Sequence, residues 1–593
     1  MEPSPDSQAE GADVNNAEKG CRLLAPSETI ESGPWRLQLR GDEVAGIEYR
    51  GYPVLRAIRP VVRDDDWRTL PSAVESVLRS KDAGGITIGL TVGFAGFGAE
   101  YRANLTLRLS ADELTVLFDG VASYEFRSNR IGLVVLHRPD DAGRNISITA
   151  PDHTRTPLAF PVDISPHQPF VDIAAMDWSR DGTAFQLEFS GDVFETEDQR
   201  NWTDASFKTY STPLSLPFPV TVNAGDRISQ SVRLTAKALG PVPEPAQPRP
   251  EPAVLTVRAQ ALARVPALGT LSSRSSAPLE PVPRLDSLLV ELVGSPSGAA
   301  ELARCALRQA TELGVQLDVR IAVSGPARLP GLLDLLPLEQ VTRLGVFSSE
   351  SHVTEPDLWG KLQTEAQRRG YTGTLLAGAR SHFTELNRSA DRLPHDAEAI
   401  TYSITPQMHT TDVQHVVETL PIQRQTALNA LRIGSGKPLH IGPITLKARF
   451  NAVSTNSAYD PRVAEAMAAD PLQGEDFTAA WLLGSIAALT LPGVETISYF
   501  EASGPRGLRT DSGAETPAHR LLTEIAALRG SDVLKIDGDI PGLVLYPVKG
   551  EAGGVLFAAN LTPKPLRAAI RLENGFTRTI DIPAWTAISR PLG

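Results

Sequence analysis

Cysteine is nearly absent: Cys21 and Cys305 are the only two in 593 residues. A disulfide scaffold is therefore excluded, and no cysteine-based metal site can be assembled from two residues so far apart. There is no long basic run, and 57 Lys+Arg against 70 Asp+Glu leave a formal charge of −13, which argues against a nucleic-acid partner. The longest apolar stretch, residues 481–494, contains Gly484 and Pro492 and is too short to span a bilayer. It reads as a buried helix, with no membrane partner. The chain has no G-x-S-x-G elbow, no phosphate-binding loop and no G-x-G-x-x-G opening a helix. No histidine pair has H-E-x-x-H spacing, so neither a cofactor nor a metal is expected, although ligands drawn from distant strands stay open. Residues 1–20 lack the basic and apolar regions of a secretion signal and read as a disordered tail, which points to a cytoplasmic protein.

What the chain does contain is 41% hydrophobic and 21% charged residues, enough for large cores and for several domains. Residues 21–239 are almost entirely strand-like. Segments 35–40, 103–109 and 232–235 alternate apolar and polar residues, and turn residues break the pattern at short intervals. That is the signature of an antiparallel β-sandwich. Residues 240–258 form a proline-rich linker, which rigid extended backbone favours over helix or central strand. Beyond it the period changes. Strand patterns at 287–292, 315–323, 343–347, 374–378, 399–404, 439–445 and 494–501 alternate with helix patterns. A weaker eighth strand falls at 533–536. Repeated βα units imply parallel strands with right-handed crossovers, hence a (β/α)8 barrel over residues 259–537. Residues 538–593 return to strand alternation as a small C-terminal β domain.

Two glutamates stand out. Glu385 follows the strand beginning at Thr374, and Glu501 ends the strand from Val494, which are the fourth and seventh by this count. The C-terminal strand ends of such a barrel form its active face. Two carboxylates there suit general acid/base and nucleophilic work, and many retaining glycosidases use positions after strands four and seven. On strands, Phe383 and Glu385 would share one face, as would Tyr499 and Glu501, giving each carboxylate an aromatic wall. Other polar groups at strand ends could bind a polyol: Asn387 and Arg388 after strand four, Gln407 and His409 after strand five, and Lys447, Arg449 and Asn451 after strand six; His352 and His382 read as structural histidines. Residues 194–210 are both charged and aromatic, with Arg200, Asn201, Trp202 and Lys208 among them. They read as a loop that binds carbohydrate, as a patch seating the sandwich on the barrel, or as both.

In residues 197–210, 382–388, 402–409, 442–451 and 499–501 the chain resembles the D-apionate lactonase family of bacterial apiose catabolism. The resemblance covers nearly the whole chain. It implies an N-terminal β domain, a glycosidase-like barrel, a small C-terminal β domain, and hydrolysis of D-apionolactone to D-apionate. Two other readings stay open: a retaining glycoside hydrolase with Glu385 as acid/base and Glu501 as nucleophile, and a non-catalytic carbohydrate-binding protein.

Overall fold

The structure, a computed structural model, describes residues 23–24, 26–240, 254–452, 468–550 and 553–592. The expected tail, Cys21 and most of the expected linker lie outside the described residues.

The N-terminal part folds into two nine-stranded antiparallel sheets. Alternation drives them together: Ala99–Leu109 buries every second residue, and Leu105 and Val116 of one sheet share a single core with Leu37, Val62 and Val135 of the other. The first sheet is covered on both faces. Its strands Tyr52–Asp64 and Phe126–His137 are buried almost throughout, because Ala57, Val61, Val134, Leu136 and Tyr210 form a second apolar cluster on its outer face. That outer face carries the charged residues that meet the barrel.

Eight parallel strands close into a barrel. In chain order they are Ala267–Leu271, Ser287–Leu292, Gln316–Val323, Val341–Ser348, Thr374–Gly378, Ala399–Ile404, Leu439–Ile444 and Val494–Ser503, and strand eight pairs with strand one. The sequence count is thereby corrected by one. Strand one is a fully buried five-residue segment with Ala267 and Gly269 in it and a single β-branched residue, Thr270, so it gives little strand signal. The expected eighth strand instead lies in Asp532–Asp537, within a separate seven-stranded sheet. Glu385 consequently follows strand five and Glu501 ends strand eight.

The same seven-stranded sheet moves the domain limits. Val254–Arg264 pairs antiparallel with Asp532–Asp537 and parallel with Leu566–Leu572, so the sheet takes strands from both sides of the barrel. Residues 254–264, assigned from sequence partly to the linker and partly to the barrel, belong to it. Helix Asp476–Leu489 is apolar on nearly all sides because it is wedged between the barrel and this sheet, with Phe477 packed on Trp585 at 5.7 Å.

The end of the barrel away from the strand C-termini is sealed by charge. Asp318 of strand three receives Arg320 Nε at 2.7 Å and Arg343 Nε at 2.8 Å, and Arg343 also reaches Asp286 at 2.5 Å. Arg320 crosses the lumen to donate to the Thr401 hydroxyl on strand six.

Candidate active site

Strand five ends at Gly378, whose φ of +138° places a would-be Cβ 2.1 Å from the Thr401 carbonyl oxygen. Only glycine fits there. Gly378→Ala is expected to destabilise the protein by more than about 1 kcal/mol, read as a lowered thermal midpoint, because the added methyl must displace the neighbouring strand. Immediately after it the chain delivers Arg380, Ser381 and His382, then enters the short helix Phe383–Arg388.

Glu385 therefore sits in the first turn of a helix and not at a strand end. The expectation that Phe383 shares its face is corrected for the same reason: side chains two apart on a helix diverge. Phe383 turns into the core, its ring 5.6 Å from Tyr402. One oxygen of Glu385, Oε2, accepts from the Ser381 hydroxyl at 2.6 Å and from the His382 N–H at 2.9 Å. Among the described residues nothing donates to Oε1. The carboxylate is thus fixed through one oxygen and open at the other. His382 is 6% exposed, and its Nε2 has no partner. Burial pulls its pKa below the usual histidine value, which favours the neutral ring.

Two arginines cluster nearby. Glu291 at the end of strand two receives Arg380 Nε at 3.3 Å and also pairs with Arg449, tying strand two to the segments after strands five and seven. Arg449 further donates to the Arg380 carbonyl at 2.6 Å and to Ser403 Oγ at 3.1 Å. Phe450 lies under both guanidinium groups, 4.1 Å from Arg380 and 5.2 Å from Arg449. His352 contacts Arg380 at 3.3 Å, and burial together with that cation holds its pKa down at about 4. Glu291 and Arg380 escaped the sequence reading. The available signal was the lone charged residue in Ser287–Leu292, a strand otherwise buried.

Glu501 is 3% exposed and paired with Arg506 in the turn that follows strand eight. The residue before it, Phe500, is fully buried yet holds φ +51°. A bulky residue in this left-handed region costs on the order of 1–3 kcal/mol, strain of the kind that gathers at functional sites. It also breaks strand alternation. Tyr499 bonds Ser485 of helix Asp476–Leu489 at 2.8 Å, and Phe500 lies 6.3 Å from Trp481 of that helix. Consecutive side chains thus face the same helix. Tyr499 is fully buried there, outside the barrel, and cannot bind substrate as expected from its sequence spacing.

The remaining expected residues divide. Gln407 donates to Asp470 at 2.7 Å and keeps its Oε1 buried and unpartnered. Lys447 gives one hydrogen bond, to the Ala469 carbonyl at 3.1 Å. Asn451 reaches the Asp66 carbonyl of the sandwich at 3.0 Å. Arg200 is 1% exposed and spends its guanidinium on Asp198, on the carbonyls of residues 161–163 and on Gln425 of the barrel. Asn201 and Asn387 bond each other at 2.9 Å, and Thr384 donates to the Asn201 carbonyl at 2.8 Å. These three expected binders, Arg200, Asn201 and Asn387, hold the sandwich on the barrel and have no donors left for substrate.

Trp202, Lys208, Arg388 and His409 lie together at the same seam. The Trp202 ring is 5.9 Å from His382 and 6.1 Å from His409, and Arg388 sits over it at 5.8 Å. Trp202 Nε1 donates to Glu197 at 2.9 Å, Lys208 pairs with that same carboxylate, and His409 bonds Asp204 at 2.6 Å. Burial raises the Glu197 carboxyl, but Lys208 and His409 outweigh it and hold the pKa at about 2. Among the described residues no group of three or more His, Cys, Asp or Glu is placed to hold a metal ion, and no helix is long and apolar enough to cross a membrane.

Comparison with known proteins follows this architecture. The family model for the D-apionate lactonase N-terminal domain matches residues 18–239, and that for the D-apionate lactonase TIM barrel domain matches residues 288–530. A D-apionate lactonase of Brucella anthropi is 24% identical over 584 aligned residues, covering 91% of this chain and 93% of its own. Among solved structures, a GH30 endoxylanase from Clostridium papyrosolvens C71 aligns over 57% of this chain and 98% of its own, at 11% identity and a TM-score of 0.36. A galactose mutarotase-like protein from Lactobacillus casei aligns over 36% of this chain and 100% of its own, at 13% identity and a TM-score of 0.26. With both large domains matched in order, the chain belongs to the D-apionate lactonase family.

Proposed function

We propose that this chain hydrolyses a sugar lactone, D-apionolactone, to its open-chain acid, D-apionate, at the mouth of the barrel. The observation that carries the reading is the Glu385 carboxylate, oriented by Ser381 and His382 through Oε2 and free at Oε1. A base so placed can take a proton from water as the water oxygen attacks the lactone carbonyl. The carbonyl oxygen then becomes an oxyanion. Lys447, with one of its three donors used, suits that charge better than Arg449, whose guanidinium is engaged by Glu291, Arg380 and Ser403. Collapse of the tetrahedral intermediate breaks the bond to the ring oxygen, which takes up the proton that Glu385 gained from water and leaves as a hydroxyl. Glu501 serves as the second carboxylate. The product acid ionises, so each turnover releases one proton.

A retaining glycosidase is the weaker reading. Its carboxylates would follow strands four and seven, whereas Glu385 and Glu501 follow strands five and eight. The test is proton release by purified protein from D-apionolactone, run beside a panel of aryl glycosides. Catalysed opening of the lactone supports the proposal. Aryl release with the lactone opening only at its spontaneous rate overturns it.

A further inference from the structure

A small cleft of about 30 Å³ lies where the outer face of the first sandwich sheet meets the segment after barrel strand six. Arg56, Arg59, Arg63, Lys208, His409 and His415 line it. Three of these arginines come from a single strand, Tyr52–Asp64, on which Arg59 and Arg63 are four residues apart. Alternation places residues of even separation on one side of a strand, so both project from the outer face.

Four acids at this seam are already matched. Glu418 pairs with Arg56 at 2.5 Å, Glu43 with His415 at 3.1 Å, Asp204 with His409 at 2.6 Å, and Glu197 with Lys208. Arg59 and Arg63 are the exceptions. Neither has a carboxylate within ion-pair distance among the described residues. Arg59 Nε is buried with no acceptor, and Arg63 makes one hydrogen bond, to the Trp67 carbonyl at 2.8 Å. Asp42, the other acid near Arg59, also has a buried, unpartnered oxygen. A guanidinium carries five N–H donors, and the cleft's own acceptors, Asp204 and Gln199, already take hydrogen bonds from His409 and Ser206, so the two arginines present surplus donors.

Size narrows the ligand. A water needs roughly 10–15 Å³ of such volume, so the cleft holds about two water-sized groups. Two oxygens on one carbon fit that space, and they match the fork of a guanidinium. We infer that Arg59 and Arg63 form a carboxylate-binding site that takes a small hydroxy acid, the class to which the product of the proposed reaction belongs. The choice of ligand rests on that reaction. His409 is 6.1 Å from the Trp202 ring, which is 5.9 Å from His382, whose N–H holds Glu385. The site therefore borders the catalytic face without sharing its carboxylates, and it would bind the open acid in preference to the neutral lactone.

Calorimetric titration of the full chain with D-apionate, and separately with acetate, tests the inference without turnover. Arg59→Gln and Arg63→Gln are each expected to raise Kd about tenfold or more, as loss of a charged hydrogen bond does. Arg59→Lys keeps the charge without the fork and should fall between wild type and Arg59→Gln, which guards against a variant that merely misfolds. Kd values within twofold of wild type in both Gln variants, with circular dichroism unchanged, overturn the site. So does an absence of D-apionate binding to the wild-type chain. If no lactone is opened yet acid binding still depends on Arg59, the site stands and the proposed activity falls. If lactone is opened and acid binding ignores both arginines, the activity stands and the site falls.

Discussion

Glu385→Gln is expected to lower kcat on D-apionolactone by about 10²–10⁴-fold, the usual contribution of a positioned general base. The substitution is close to isosteric, and an amide oxygen can still accept from the Ser381 hydroxyl and the His382 N–H. Helix Phe383–Arg388 therefore keeps its N-terminal support, and the thermal midpoint should not move. What is lost is the capacity of Oε1 to take a proton. KM should change little, because the proposed role is in the transition state and not in binding the ground state. Glu501→Gln is expected to reduce kcat over a similar range, but it also weakens the pairing with Arg506 that closes the turn after strand eight. Its thermal midpoint should therefore fall as well. Full activity in both variants would remove the paired carboxylates from the mechanism. Full activity in Glu501→Gln alone, with a lowered midpoint, would leave Glu501 a purely structural role.

The alternating pattern made the fold largely legible. Seven of the eight barrel strands carry buried, β-prone cores that announce themselves, and strands of the second sandwich sheet such as Ala99–Leu109 alternate as antiparallel strands with one wet face must. Strand one did not, because Ala267–Leu271 is held in place by neighbours on both sides and not by its own propensity. That single omission shifted both glutamates by one strand and lent the glycosidase reading a support it does not have. The seam was legible only as composition. Residues 197–210 are charged and aromatic whether they face a substrate or a neighbouring domain, and only the partners of Arg200 and Asn201 separate those roles. Glu291 and Arg380 were hidden for a related reason: each is one charge in an apolar run, and its meaning comes from an arginine or glutamate far away in sequence. At Tyr499 the period-two rule failed because Phe500 is left-handed, a feature that composition does not reveal.

Asp318→Asn is expected to destabilise the barrel by about 3–5 kcal/mol at neutral pH, the cost of removing one partner from a buried charge cluster. Asp318 is 1% exposed, and both of its oxygens are used by guanidinium groups. The variant would leave Arg320 without a counter-charge in the lumen and Arg343 with Asp286 alone. Replacing the whole cluster with apolar residues would be a different experiment, since a well-packed apolar core can equal a buried ion pair. The pH dependence separates charge from packing. Burial acts to raise the Asp318 pKa, but Arg320 and Arg343 outweigh it and hold the carboxyl well below the usual range. A carboxyl depressed in the folded state stabilises fully above its unfolded pKa, roughly 3.9, and loses that contribution as pH falls toward the folded value. The stability gap between wild type and Asp318→Asn should therefore be constant from pH 7 to about 5 and narrow below about 4. Thermal unfolding across that range measures it, read on the transition of the barrel because a chain of several domains need not unfold in one step. A gap that stays constant below pH 4 would assign the loss to packing. A gap under about 1 kcal/mol at pH 7 would mean that water reaches the bottom of the barrel and screens the two arginines.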